Sequence, residues 1–269
     1  MATEVLAGQI GEIRATSTAG GGTALTTTAT YVHLPIGSYH IYITPRNFST
    51  AVVAKFSFNP WLVVLKTTDT MATAPTDYSA AAQDASAATD IDVSELNTLA
   101  NGDFLLVGSH LPFRGVYIDV DGTNSLGTAS TSVYYWNGSD WADTTETDDT
   151  FSTRTFAQDG LVYWSVPSAW AATTLKALYP STPASAYTKL NYFWTRWEVS
   201  AALTDTSVTF NSMVAANRST AYAELLSGQT FEERVTKGLG GVGCIEALTD
   251  AGTANLIVNV ATVREGRFS

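Results

Sequence analysis

Cysteine is all but missing from this chain. The single Cys244 excludes an intrachain disulfide, and its setting, Gly241-Val242-Gly243-Cys244-Ile245, predicts a buried inert thiol. Charge is scarce too. Asp, Glu, Lys and Arg make up 14% of the residues, against roughly 25% in ordinary soluble domains. Cations are the scarcer sign: 14 Lys and Arg stand against 25 Asp and Glu, for a net charge of -11. Without a Lys/Arg cluster there is nothing to displace counterions from a phosphate backbone, so nucleic acid is excluded as a partner. Anionic membrane surfaces are disfavoured for the same reason. Long apolar runs are also lacking. The longest, Trp61-Leu62-Val63-Val64-Leu65, is far short of the ~20 residues of a spanning helix. Met1-Ala2-Thr3-Glu4-Val5 has neither the basic start nor the apolar stretch of a secretory signal, so synthesis and folding in a cytoplasm are expected.

What the chain does hold is strand-forming material. Hydrophobic residues are 45% and aromatics 11%, beside abundant Thr, while the helix-forming Lys, Glu and Arg are few. The expected fold class is all-β, with little helix and two β-sandwich or jelly-roll-like domains. Strand patterns appear at Tyr39-His40-Ile41-Tyr42-Ile43-Thr44, stopping at Pro45, and over 51–58 and 61–65. Residues 69–102 change texture to Ala, Thr, Ser and Asp, which predicts a linker with at most a helical turn at 94–99. Aromatic density then rises. Strands are expected over 113–120, 132–136, 161–166, 192–199 and 207–210. Asn137-Gly138 supplies a strong hairpin signal after Trp136.

In the 192–199 strand, Phe193, Thr195, Trp197 and Val199 share the core-facing side. Trp194 falls on the opposite side, where it is expected to be more exposed or to sit against a partner. A short helix is predicted at 221–226, closed by Gly228. The stretch 244–248, a turn at 249–252 and the run 255–263 read as a hairpin too small to fold alone. The predicted organisation is therefore one β domain built from both chain ends, 1–68 plus 213–269, a linker at 69–102, and an aromatic-rich sandwich at 103–212.

No catalytic, cofactor-binding or metal-binding residue is assigned from these patterns. His33, His40 and His110 form no metal-spaced pair, and Cys244 is distant from all three in sequence. No Gly-x-Ser-x-Gly elbow supports a Ser-His-Asp triad, and no phosphate loop supports nucleotide chemistry. Asp119-Val120-Asp121-Gly122 resembles part of a calcium loop, but its Gly stands fourth rather than sixth and no closing Glu follows. A plain turn is the preferred reading there, with calcium at Asp119 and Asp121 the alternative. Glu146-Thr147-Asp148-Asp149 reads as a solvated loop. Trp136, Trp141, Trp164, Trp170, Trp194 and Trp197 crowd together. Most are assigned to the core; exposed coplanar rings would instead stack on sugars.

Four runs carry a resemblance: Asp103-Phe104-Leu105-Leu106-Val107-Gly108, Pro112-Phe113-Arg114-Gly115-Val116, Tyr135-Trp136-Asn137-Gly138-Ser139-Asp140-Trp141, and Tyr192-Phe193-Trp194-Thr195-Arg196-Trp197-Glu198-Val199-Ser200-Ala201-Ala202-Leu203. Together, over about 103–212, the chain resembles an aromatic-rich β-sandwich module of tailed-bacteriophage virion structural proteins. The resemblance implies a structural role without catalytic residues. The expected function is an accessory capsid protein, for decoration or cement, or a head–tail-associated protein. The expected partners are the major capsid protein, other virion proteins and further copies of this chain. The expected location is the virion, after synthesis in the host cytoplasm. The alternative is a glycan-binding or receptor-binding module of a tail fibre or spike.

Overall fold

The computed structural model describes residues 10–14, 21–34, 38–50, 53–84, 86, 88–125, 127–203, 207–216, 222–234 and 241–263. The chain is all-β, with 47% of residues in strands against 6% in helix, and the strand pairings are antiparallel. Two compact units emerge: Met1–Phe58 with Ser219–Ser269, and Asn59–Arg218.

The first unit has two sheets. One is ordered β1 (Ile10–Arg14), β21 (Ala254–Val263), β4 (Ser38–Arg46), β19 (Phe231–Arg234), with β2 (Thr23–Leu25) also paired to β21. The other is ordered β18 (Ala223–Leu225), β5 (Ala54–Pro60), β20 (Val242–Thr249), β3 (Thr30–His33). Alternation sends Ile41, Ile43, Leu256, Val258 and Val260 of the first sheet, and Val32, Phe56, Ile245 and Ala247 of the second, into one core. β4 does not stop at Pro45, which sits opposite Leu256 of β21. On its other side β4 pairs with β19 only from His40 to Ile43, so the missing proline N–H interrupts no ladder there. β20 and β21 do not form the expected hairpin. They lie in different sheets, and the turn between them carries the chain across the core. The expected helix at 221–226 is also overturned: Ala223, Glu224 and Leu225 pair with Phe56, Lys55 and Ala54.

The second unit has a five-stranded sheet ordered β13 (Thr147–Asp148), β14 (Gly160–Tyr163), β10 (Gly115–Gly122), β17 (Thr209–Ala215), β8 (Ile91–Asp92). Its seven-stranded sheet runs β12 (Trp141–Asp143), β11 (Thr131–Trp136), β16 (Asn191–Val199), β9 (Asp103–Ser109), β6 (Val63–Thr68), β7 (Thr76–Asp77), with β15 (Ala172–Thr174) also paired to β16. Val64, Leu105, Val107, Val133, Trp197 and Val199 of the larger sheet meet Val116, Ile118, Val162, Phe210 and Met213 of the smaller one in the main core. Thr195 sits on that apolar side because its hydroxyl is satisfied. It donates to Val107 O at 3.0 Å and accepts from Trp197 Nε1 at 2.9 Å.

Residues 69–102 are built into this unit rather than acting as a linker. They supply β7, the short helix α1 (Ala81–Asp84), β8 and a 3-10 turn at Leu99–Asn101, and Ala82, Ile91, Val93 and Leu96 enter the main core. β6 and β17 also pair within this unit, so strands on either side of the expected boundaries at 68 and 213 belong to it.

The seven-stranded sheet is buried on its outer face as well. Val63, Leu65, Met71, Phe104, Leu106, Leu175, Tyr192 and Trp194 form a second cluster there. Trp194 is 0% exposed, covered by its own chain where exposure or a partner was expected. The chain from β15 through the helix α2 (Leu175–Leu178) folds over that face, and Trp194 Nε1 donates to Thr173 O at 3.0 Å. Thr174 caps α2 by accepting from Ala177 N at 3.2 Å.

Candidate functional site

Alternation along β16 sends Tyr192, Trp194, Arg196 and Glu198 to the outer face of the seven-stranded sheet. Register then assembles the neighbours: Tyr134 stands opposite Arg196, Ser132 opposite Glu198, and Trp136 opposite Trp141 across the β11–β12 hairpin. That hairpin is closed by Asn137, whose Oδ1 accepts from Ser139 N and Asp140 N, both at 2.9 Å. Gly138 takes φ 101° in the loop, the left-handed region that favours glycine.

The Arg196 guanidinium is enclosed by rings. Its carbon lies 4.9 Å from the Trp141 centroid, 5.6 Å from Tyr134 and 6.0 Å from Phe104. Nη2 pairs with Glu198 Oε1 at 2.6 Å, and both side chains are mostly buried. Rings spread the cation's field and the carboxylate neutralises it, which is how a charge survives partial desolvation. The phenols around this face are held protonated. Burial raises Tyr179 and Tyr192, and burial together with Glu198 and Asp143 raises Tyr134. Burial foremost pushes Tyr187 up to about 12, while its hydroxyl donates to Asp77 Oδ2 at 2.9 Å. At the margin of this face the rings of Tyr134, Trp136 and Trp141 are half-buried.

Trp136 and Trp141 are the half-buried pair nearest the hairpin tip. Their centroids are 5.6 Å apart and their planes meet at 67°, so they pack edge to face and do not form a flat sugar platform. Trp164, Trp170, Trp194 and Trp197 are buried. Trp170 Nε1 donates to Trp194 O at 3.1 Å.

The residues singled out in the sequence go to separate places. His33 and Cys244 become direct cross-strand partners, and Leu34 N donates to Gly243 O at 3.0 Å beside them. Cys244 is buried, as its sequence setting predicts. Two residues along β20 the buried Glu246 accepts from Tyr222 Oη at 2.6 Å. His40 Nε2 meets Glu232 Oε1 at 2.6 Å, and the His110 ring packs on Tyr192 with centroids 4.2 Å apart. Asp121 and Gly122 are strand rather than turn, because β10 continues to Gly122 opposite Thr209. Asn211 Nδ2 donates to Asp119 at 3.4 Å.

Asp148 is more than a solvated loop residue. It accepts from Thr150 N and Thr155 Oγ1, both at 2.8 Å, and from Thr150 Oγ1 at 2.5 Å, bracing a loop in which Thr150 and Thr155 are fully buried. The signal available in sequence was the polar-threonine spacing Asp148, Thr150, Thr155. Among the described residues, no group of three or more His, Cys, Asp or Glu side chains is placed to hold a metal ion. No described helix is long and apolar enough to cross a membrane.

Comparison with protein-family models, with curated proteins and with solved structures gives no match. The functional reading therefore rests on the geometry and on the resemblance drawn from the sequence.

Proposed function

We propose that this chain is a non-enzymatic structural component of a tailed-phage virion. In this reading it is an accessory capsid protein, for decoration or cement, or a head–tail-associated protein, and it works through protein–protein contacts. One observation carries the proposal: three of the four runs behind the resemblance are contiguous in space. Residues 103–108 lie in β9, 135–141 form the β11–β12 hairpin and 192–199 lie in β16, and these are neighbouring strands of one sheet. The fourth run, 112–116, leads into β10 of the five-stranded sheet of the same unit.

Further support comes from how the chain spends its reactive side chains. Arg196 and Glu198 neutralise each other, Asp148 braces a loop, and the phenols are held protonated. A large sheet buried on both faces makes a stiff plate suited to repeated lateral contact, and arrays of weak contacts gain strength through effective concentration. The net charge of -11 favours a position facing away from packaged nucleic acid. The glycan-binding alternative needs coplanar exposed rings, and the edge-to-face Trp136–Trp141 pair counts against it.

The test is co-sedimentation. Particles purified by density gradient from lysates of the encoding system are analysed by quantitative mass spectrometry. The proposal expects the chain at a fixed ratio to the major capsid protein. Its recovery only in the soluble fraction would reject the proposal, and selective binding on a glycan array would favour the alternative.

A further inference from the structure

The sequence contains Asn-Gly twice, at Asn101-Gly102 and Asn137-Gly138. Asparagine is thermolabile, and most so before glycine, where no Cβ shields the next backbone nitrogen from reaching the side-chain carbon. That reaction closes a five-membered ring. The two pairs are alike in sequence, and the fold treats them in opposite ways. Asn101 ends the 3-10 turn Leu99–Asn101. Gly102 N donates to Leu99 O, and Gly102 O accepts from Thr70 N, both at 2.9 Å. Gly102 is buried and holds φ 85°, with a Cβ position only 2.8 Å from Thr70 Oγ1. Its nitrogen is therefore engaged, and turning it toward the Asn101 side chain breaks the turn. The Asn101 carboxamide is exposed and makes no hydrogen bond among the described residues.

In the β11–β12 hairpin the arrangement is reversed. Gly138 is exposed, and its N–H donates no hydrogen bond among the described residues. A Cβ at Gly138 would meet only Ala171 Cβ, at 3.4 Å, so this part of the loop has room to turn. The carboxamide beside it is engaged instead. Asn137 Oδ1 accepts from Ser139 N at 2.9 Å, Asp140 N at 2.9 Å and Ser139 Oγ at 3.0 Å. Three donors on one carbonyl oxygen draw electron density from Cγ and are already placed for the negative charge that builds on that oxygen when Cγ is attacked. Asn137 Nδ2 donates no hydrogen bond among the described residues, so nothing retains it as a leaving group.

We propose that Asn137 is a site of self-modification, which the folded hairpin activates to cyclise with Gly138 N and convert to aspartate and isoaspartate. Gly138 N gives its proton to solvent and bonds to Asn137 Cγ. The oxyanion on Oδ1 is held by the Ser139 and Asp140 donors. The Cγ–Nδ2 bond then breaks, and Nδ2 leaves as ammonia, taking a proton back from solvent. Water opens the resulting succinimide. Attack at Cγ restores the ordinary main chain as aspartate, and attack at the Asn137 backbone carbonyl carbon leaves isoaspartate. Water is the only co-reactant. Aspartate keeps an acceptor for the same donors and adds one negative charge to the hairpin tip. Isoaspartate routes the main chain through the side chain and inserts a methylene between Trp136 and Trp141, the ring that stands 4.9 Å from the Arg196 guanidinium.

The experiment ages the full chain at mildly alkaline pH in heavy-oxygen water, once folded and once unfolded in urea. Peptides containing positions 101 and 137 are then quantified by mass spectrometry. The heavy oxygen marks conversion that precedes digestion, and isoaspartate is resolved by chromatography, since only the succinimide route produces it. In the folded chain position 137 is expected to convert at least about tenfold faster than position 101, with isoaspartate among the products. In urea the two rates are expected to converge, because the geometry that separates them is gone. Ser139→Ala, at an exposed position, removes one of the donors. It is expected to slow position 137 by about threefold or more and to leave position 101 unchanged; circular dichroism checks that this variant folds. Position 101 converting as fast as position 137 in the folded chain overturns the proposal. So does the same rate ratio in urea, which would assign the difference to sequence neighbours, and so does an unchanged rate at position 137 in Ser139→Ala.

Discussion

Gly108 on β9 stands opposite Trp194 on β16, and the fit between them is tight enough to predict a specific failure. A Cβ added at Gly108 would lie 2.5 Å from Trp194 Cε3, 2.6 Å from Cζ3 and 3.0 Å from Cδ2. The indole cannot retreat easily. It is 0% exposed, and its Nε1 is tied to Thr173 O. Gly108→Ala therefore overpacks the outer cluster, at a typical cost of about 1–3 kcal/mol. The lost chain entropy of the unfolded state returns about 0.4–1 kcal/mol, which leaves a net destabilisation of roughly 1–2 kcal/mol.

Trp194→Ala removes a fully buried ring and should cost about 3–5 kcal/mol. In that background the added methyl meets no indole, so Gly108→Ala should become neutral or mildly stabilising. The double-mutant cycle should then show a favourable coupling of about 1–3 kcal/mol. All 7 tryptophans lie in Asn59–Arg218, so a urea titration followed by tryptophan fluorescence reads this unit alone, provided m is unchanged. Equal effects of Gly108→Ala in the two backgrounds would refute the reasoning, because the clash would then not involve Trp194.

On the inner face, Trp197→Ala should cost about 3–5 kcal/mol in the same titration, since Trp197 is 2% exposed and packs on Trp164; an unmoved midpoint would contradict its core assignment. Thr195→Val keeps the shape but strands the Trp197 indole N–H and should cost about 1–3 kcal/mol, against near neutrality if that hydrogen bond is idle. Asp103 tests the electrostatics. Burial first, then Glu95, raises its carboxyl despite the Asn97 amide and Lys66, so its ionised form destabilises the fold. Stability gained by protonating it grows as pH falls from the raised value toward 3.8. Asp103→Asn should accordingly be more stable than wild type at neutral pH, with the advantage fading on acidification toward about pH 4; an advantage that grows on acidification would reverse the sign of this account.

Strand content and the inner face of β16 were legible because alternation is a local property: Phe193, Thr195, Trp197 and Val199 announce one side whatever surrounds them. The burial of Trp194 was not legible, because the segment that covers it, from β15 through α2, arrives from elsewhere in the chain. Residues 69–102 misled by composition. Their core contribution rests on Ala82, Ile91, Val93 and Leu96, which follow no strand or helix period, so nothing distinguished them from a linker. Ala223-Glu224-Leu225 has helical propensity, and pairing with β5 overrides it. The turn after β20 looks like a hairpin turn, but whether a turn joins partners in one sheet or crosses between two is decided by long-range pairing. The Arg196 enclosure was half visible. Arg196 and Glu198 could be placed on one face from spacing alone, whereas Tyr134, Trp141 and Phe104 arrive only through register with β11, β12 and β9.

The central claim, that this chain is an assembly protein of a phage particle, is tested most directly by a density map of the particle with and without it. The account predicts difference density for two β-sandwich units per copy on the outer surface or at the neck, repeated with the symmetry of its neighbours and vanishing when the gene is deleted. Density against the genome on the inner wall, or identical maps from the two preparations, would contradict it.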